Sequence, residues 1–228
     1  MQFGITEEST WLLPSSCCRP SPLRVVRPAV PEGVEEGIVK GLYLFREGTP
    51  AVGAGGRKSR AKQKPRAQLM GSGTILREVL AGADLLAQDF GVAADVWSVT
   101  SFTELRREGI EADRWNMLHP TEEARVPWVT SSLAGHEGPV IASTDYVRAF
   151  ADGIRPFVDR PYRVLGTDGF GRSDYRRKLR RFFEVDRHYV AVAALKELAD
   201  QGKVEPSVVK QAIEQYEIDT DRPAPFHV

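Results

Sequence analysis

Four short apolar runs, at residues 67–70, 95–100, 140–144 and 162–165, each pass the chain through a loop into a stretch of helical character. Strands that are followed by helices rather than by tight turns cannot pair as simple hairpins, so they favour parallel neighbours with helices covering both faces of one sheet. A fifth run, Gly41-Leu42-Tyr43-Leu44-Phe45-Arg46, also reads as a strand. A glycine-rich basic stretch, residues 53–66, separates it from the run at 67–70, which suggests a hairpin or edge connection between the two.

The helices carry their own punctuation. After Gly71-Ser72-Gly73, Thr74 suits a cap for a helix whose apolar positions Leu76, Val79, Leu80, Ala83, Leu86, Ala87 and Phe90 follow the 3.6-residue period. Further helices are expected from Ser101–Thr103 onward, over 145–150, over 174–183 with Ser173 or Asp174 as cap, over 187–201 and over 206–216. Pro206 fits a first helical position and Gly202 a helix end. Residues 189–195 alternate like a strand as well; we read them as helix. Tyr175, Leu179, Phe182 and Phe183 are spaced to give the helix at 174–183 a core face, leaving its arginines at the surface or beside an acidic neighbour.

Composition excludes several classes. Thirty-one basic and thirty-one acidic residues cancel, so no molecule-wide field favours nucleic acid or anionic lipid. No apolar stretch approaches the roughly 18 to 20 residues that span a bilayer. Residues 1–30 hold four prolines, the adjacent pair Cys17 and Cys18, and no sustained periodicity; they read as a poorly ordered leader, with a domain over 31–228. Adjacent cysteines neither close a fold nor offer metal-pair spacing, which fits a reducing, cytoplasmic setting. The basic run from Arg57 to Arg66 lacks interleaved aromatics and reads as a solvated insertion.

Catalytic motifs are sparse. Gly71-Ser72-Gly73 lacks the third glycine of a dinucleotide fingerprint, Leu76 standing there instead, and the next strand ends in Thr100 rather than an acid. The four histidines fall in no metal pattern, and no nucleophile elbow appears. A small hydrolase with dispersed residues stays open. The most unusual loop is Gly166-Thr167-Asp168-Gly169-Phe170-Gly171-Arg172-Ser173-Asp174, at the carboxyl end of a strand. From its residues alone it reads equally as a functional contact or as a structural turn.

Three strings together resemble one family. Gly71-Ser72-Gly73 with its helix, Val96-Trp97-Ser98-Val99-Thr100-Ser101-Phe102-Thr103-Glu104-Leu105 continuing to Arg114-Trp115-Asn116-Met117-Leu118-His119-Pro120, and Ala142-Ser143-Thr144-Asp145-Tyr146 with the loop above are similar to the final domain of homodimeric bacterial pyruvate dehydrogenase decarboxylating components. The likeness starts near Pro31 and excludes residues 1–30. It implies a transketolase-like carboxy-terminal domain, a three-layer α/β/α fold with a mostly parallel, five-stranded mixed sheet. It also implies an enzyme that decarboxylates pyruvate on thiamine diphosphate with magnesium, then acetylates the lipoyl group of a dihydrolipoyl acetyltransferase.

In that family the amino-terminal domain holds the diphosphate and magnesium, and the middle domain supplies the activating glutamate. Such enzymes carry Gly-Asp-Gly followed by Asn; here Thr167 replaces the first glycine and the sole asparagine, Asn116, lies upstream. The resemblance therefore implies no catalytic, cofactor or metal residue in this chain, and an isolated domain without activity. Its partners would be the amino-terminal and middle domains, a second subunit and, through the full enzyme, the acetyltransferase, with no nucleic acid or membrane. The alternative is an independent binding or assembly module.

Because loops at strand carboxyl ends share one edge of a parallel sheet, residues 72–73, 101–102, 144–146 and 167–173 are expected to form one patch. Its contact candidates are Asp145, Tyr146, Asp168, Phe170, Gly171, Arg172 and Ser173.

Overall fold

The computed structural model describes residues 29–48 and 65–227, so the leader up to residue 28 and the basic stretch up to Lys64 lie outside the described residues. Chain order is α1 (Glu35–Lys40), β1 (Leu42–Arg46), β2 (Arg66–Ser72), α2 (Leu76–Phe90), β3 (Ala93–Val99), α3 (Phe102–Leu118), α4 (Trp128–Leu133), β4 (Val140–Ser143), α5 (Arg148–Asp152), β5 (Tyr162–Leu165), α6 (Arg176–Phe182), α7 (Arg187–Asp200) and α8 (Pro206–Gln215). The strands lie in the order β1-β3-β2-β4-β5. β2, β3, β4 and β5 are parallel, and β1 runs antiparallel along β3. The mixed, five-stranded sheet is thus present; of the two connections expected between β1 and β2 there is no hairpin, since β3 lies between them, and β1 is an edge strand.

The period-2 alternation of the strands separates two cores. Ala67 and Leu69 of β2, Ala94 and Val96 of β3 and Ile141 of β4 pack under α2, α7 and α8, against residues such as Val79, Leu86, Val190 and Leu195. Met70, Trp97, Val99, Val140 and Tyr162 face the other way, under Phe102, Leu105, Val129, Leu133 and Ile154. β2 and β3 are covered on both faces, which is why they read as near-continuous apolar runs. No helix among the described residues is long and apolar enough to cross a membrane.

Helix ends match expectation in places. Ser101 caps α3 by accepting the Glu104 amide at 3.1 Å, and Asp186 caps α7 through the His188 and Tyr189 amides. Pro206 opens α8 at its first position, and residues 189–195 are helical. Thr74 is not a cap. A 3₁₀ turn over Gly73–Ile75 takes up the start of α2, and the Thr74 hydroxyl turns to Asp145 instead. α5 begins at Arg148, three residues later than the run at 145–150 suggested, because residues 145–147 form the loop. α1 and α4, six residues each, were not anticipated.

At the amino-terminal edge of the parallel strands lies a fully buried carboxylate. Asp95 of β3 accepts from the Gly48 amide at 2.8 Å, from Gln68 Nε2 at 2.9 Å and from Arg66 Nη1, and its Oδ2 lies 3.2 Å from His136 Nδ1. Gln68, directly opposite in the β2–β3 register, in turn accepts the Trp97 indole N–H at 2.8 Å. The approach to β4 is held close: Gly138 adopts φ +98°, and a Cβ there would sit 1.9 Å from the Arg66 carbonyl, so only glycine fits. Burial pulls the Asp95 pKa upward, but the Gly48 amide and the Gln68, Arg66 and His136 side chains outweigh it, so the carboxyl titrates below the ordinary aspartate range.

Replacing Asp95 by Ala should cost about 3 kcal/mol in urea unfolding, the range for breaking a buried ion pair. Asp84→Ala, which removes a half-exposed partner of Arg46, should cost under about 1 kcal/mol. Because the folded-state pKa of Asp95 is depressed, its contribution is present above the unfolded carboxyl pKa of about 3.9. It should fade as pH falls through the folded value. The gap in urea midpoint between wild type and Asp95→Ala should therefore shrink at low pH.

Candidate functional site

The carboxyl ends of β2, β3, β4 and β5 bring four loops to one edge, opposite Asp95. β2 passes its chain toward β3 and β4 passes its chain toward β5, so the neighbours β2 and β4 diverge; such a switch point leaves a crevice between the loops. A recess of 200 Å³ lies there, lined by Ser72, Thr100, Ser101, Thr144, Tyr146 and Phe150 among others. Its hydroxyls serve local structure. Thr100 donates to the Ile38 carbonyl at 2.7 Å, Ser101 caps α3, and Thr144 accepts the Tyr146 amide at 3.2 Å.

The loop residues anticipated as contacts fall in two linked groups. Asp145 accepts from the Thr74 hydroxyl at 3.2 Å, and its carbonyl accepts from the Thr167 hydroxyl at 2.7 Å. The Thr167 amide donates to the Tyr146 carbonyl at 2.9 Å, joining the loops after β4 and β5. Asp168 accepts the Arg148 amide at 3.0 Å, and its other oxygen lies 3.3 Å from Arg148 Nε, though off the hydrogen-bonding direction. Tyr146, 65% exposed, meets Phe150 edge to face at 6.1 Å.

Beyond Asp168 the loop swings toward α6 and the carboxy terminus. Gly169, at φ +115°, rests on the chain at Pro225 and Phe226, where a Cβ would come within 2.8 Å of the Pro225 carbonyl. Phe170 then projects into solvent, 81% exposed, whereas Phe90 is partly buried against a core. Gly171 and Ser173 are exposed, and Arg172 lies over the Phe182 ring at 4.5 Å.

α6 follows the expected arrangement only in part: Phe183 packs against the core and Leu179 and Phe182 are half-buried. None of its residues is buried, and Tyr175, expected in the core face, is 79% exposed. Neither Ser173 nor Asp174 caps it: Tyr175 holds the cap position without a side-chain bond, and Asp174 accepts the Tyr175 amide. Arginines anchor the helix instead. Arg180 donates to Glu78 Oε1 at 2.8 Å, and Arg181 donates to the Tyr216 and Glu217 carbonyls at 2.7 and 2.8 Å. Glu78 is buried in α2 and also takes Arg187 Nε at 2.9 Å. Its burial raises the pKa, but the hydrogen bond and charge of Arg187, with the charge of Arg180, prevail and hold it low. The acidic neighbour expected for the arginines is thus Glu78, with Asp186 beside Arg181.

The sequence singled out Phe170 and Tyr146 but missed Phe150, Tyr175 and Phe226 on the same edge, each about half exposed or more. Glycines around Phe170 flagged it; Tyr175 was hidden by a spacing that looked like core.

A magnesium diphosphate does not fit the residues described. Both Asp168 oxygens face Arg148, and Asn116 exchanges two hydrogen bonds with the Arg125 backbone. Among the described residues no group of three His, Cys, Asp or Glu is arranged to hold a metal.

The family model described as transketolase-like TK C-terminal domain matches residues 55–186. The chain is 57% identical over 201 residues to a pyruvate dehydrogenase E1 component of Cupriavidus necator, covering 88% of this chain and 21% of that protein. It is 53% identical over 202 residues to one of Pseudomonas aeruginosa, covering 88% and 22%. The chain thus spans about a fifth of the length of these curated relatives. Among solved structures it is similar to a split-gene transketolase described as an inactive beta4 tetramer, at 14% identity and TM-score 0.44, covering 70% of this chain and 43% of that one.

Glu78→Gln should lower stability by about 2 kcal/mol, less than for a fully buried pair because Arg187 is half exposed. It should also release α6: amide exchange over residues 176–182 should accelerate more than exchange in β2 and β3, as read by mass spectrometry.

Proposed function

Since the chain belongs to the transketolase-like C-terminal domain family, we propose that it acts as the carboxy-terminal domain of a pyruvate dehydrogenase decarboxylating component. The similarity at 57% identity over 201 residues to a protein of that name carries the reading. The whole enzyme would decarboxylate pyruvate with thiamine diphosphate and magnesium and acetylate the lipoyl group of dihydrolipoyl acetyltransferase. Because the residues here do not fit the cofactor, this domain's part is architectural.

That part is assembly through the carboxyl edge. Tyr146, Phe170 and Tyr175 are exposed there on loops and Phe150 on α5, and hydrogen bonds join the loops after β4 and β5. Aromatic side chains and arginines are enriched in the centres of protein interfaces, and a cluster of exposed rings is costly to leave in water. The edge would face the amino-terminal and middle domains or the second subunit of a homodimer. A reading as an independent binding module rests on the same exposed rings and differs only in where the partner comes from.

Calorimetric titration of the chain with thiamine diphosphate and magnesium should give no binding heat, and a pyruvate decarboxylation assay no turnover. Saturable binding with turnover would contradict the architectural role.

A further inference from the structure

Charges on the carboxyl edge are not evenly satisfied. Its carboxylates have internal partners: Asp145 takes Thr74, Asp168 takes Arg148, and Asp174 takes the Tyr175 amide with Lys178 at 4.0 Å. The cations do not. Among the described residues Arg172 lies over the Phe182 ring without a carboxylate partner, and Arg176 and Arg177 have none either. Arg180 and Arg181, one turn on, are turned inward to Glu78, Asp186 and backbone carbonyls, so the anchored helix fixes the outward ones in place. Three guanidinium groups without a carboxylate partner among the described residues therefore share one short segment with two rings that are 81% and 79% exposed, Phe170 and Tyr175.

We infer that this segment, residues 170–178, docks onto a carboxylate-bearing protein face contributed by the polypeptide that accounts for the other four-fifths of the relatives' length. The inference rests on the reading of this edge as an interface and adds the chemistry of what covers it. Guanidinium forks pair with carboxylates bidentately, and the flanking rings give the apolar centre that such pairs need to be desolvated. Interleaved arginines and aromatics also suit single-stranded nucleic acid. Asp145, Asp168 and Asp174 argue against that occupant, since they would stand against its phosphates, whereas a protein face can place donors opposite them. Three cations are also few beside the phosphate contacts that give nucleic-acid binding its strength.

Zero-length carbodiimide coupling joins a lysine amine to a carboxylate in direct contact, so it reads the partner's chemistry. The protein for the test is the Cupriavidus necator relative with its 201 matched residues replaced by those of this chain, carrying Arg176→Lys and Arg177→Lys. Mass spectrometry should find the three adjacent lysines at 176–178 coupled to Asp or Glu outside the replaced region. Coupling should fall at least tenfold when Phe170→Ala is added. Amide exchange over residues 167–175 reports separately on the underlying reading. Protected amides without such couplings would overturn the acidic partner and leave the interface standing. Amides that exchange as fast as in the isolated chain, or a chimera that does not assemble, would overturn both. Tight binding of labelled polyuridylate to the chain at 150 mM salt, lost in R176E/R177E, would replace the inference with a nucleic-acid partner.

Discussion

Donors from β2 and from two loops converge on the carboxylate of Asp95 in β3, because a buried charge must collect donors from wherever the fold can supply them. Four residues supply them from three separate places in the chain: Gly48 beyond the end of β1, Arg66 and Gln68 in β2, and His136 on the approach to β4. A one-residue slip of β2 against β3 would carry Gln68 to the opposite face and strand both the carboxylate and the Trp97 indole. The register of the central strands is thereby tied to one polar cluster at the amino-terminal edge. The loops at the opposite edge inherit their positions from that register.

At the carboxyl edge the fold departs from the usual logic of an amphipathic helix. α6 turns arginines inward, where Glu78 and the carbonyls of Tyr216 and Glu217 hold them, and leaves Tyr175 outside. A buried glutamate with two arginines is weak support for stability, because desolvation offsets much of the attraction. It does fix orientation, and here it orients a segment whose exposed rings have nothing to pack against within the described residues. Rigid placement of side chains that the domain itself does not use is the structural basis for reading this edge as an interface.

The sequence showed the architecture where local signals agree with the fold. Each parallel strand is an apolar run that leads to a helix, and Ser101 and Pro206 mark helix starts by residue chemistry alone. Strand order was less legible: nothing between residues 46 and 66 tells that β1 joins the sheet beyond β3, since that pairing depends on contacts distant in the chain. Gln68 and Asp95 fall inside runs read simply as apolar, and only the register, which sets them opposite each other, reveals them as a pair. The core face assigned to α6 held only in part, with Phe183 packed against the core and Tyr175 exposed, for a related reason. Spacing alone cannot weigh four apolar side chains against two arginines that find a buried glutamate on another helix.

If the carboxyl edge is where this domain meets the rest of an enzyme, its rings must lose water when the remaining polypeptide is present. Hydroxyl-radical footprinting compares side-chain accessibility directly, in the isolated chain and in the full-length relative carrying this domain. Oxidation of Tyr146, Phe170 and Tyr175 should be rapid in the isolated chain and several-fold slower in the full-length protein, while that of the exposed Met117 on α3 stays unchanged. Equal oxidation of the three rings in both would contradict the account.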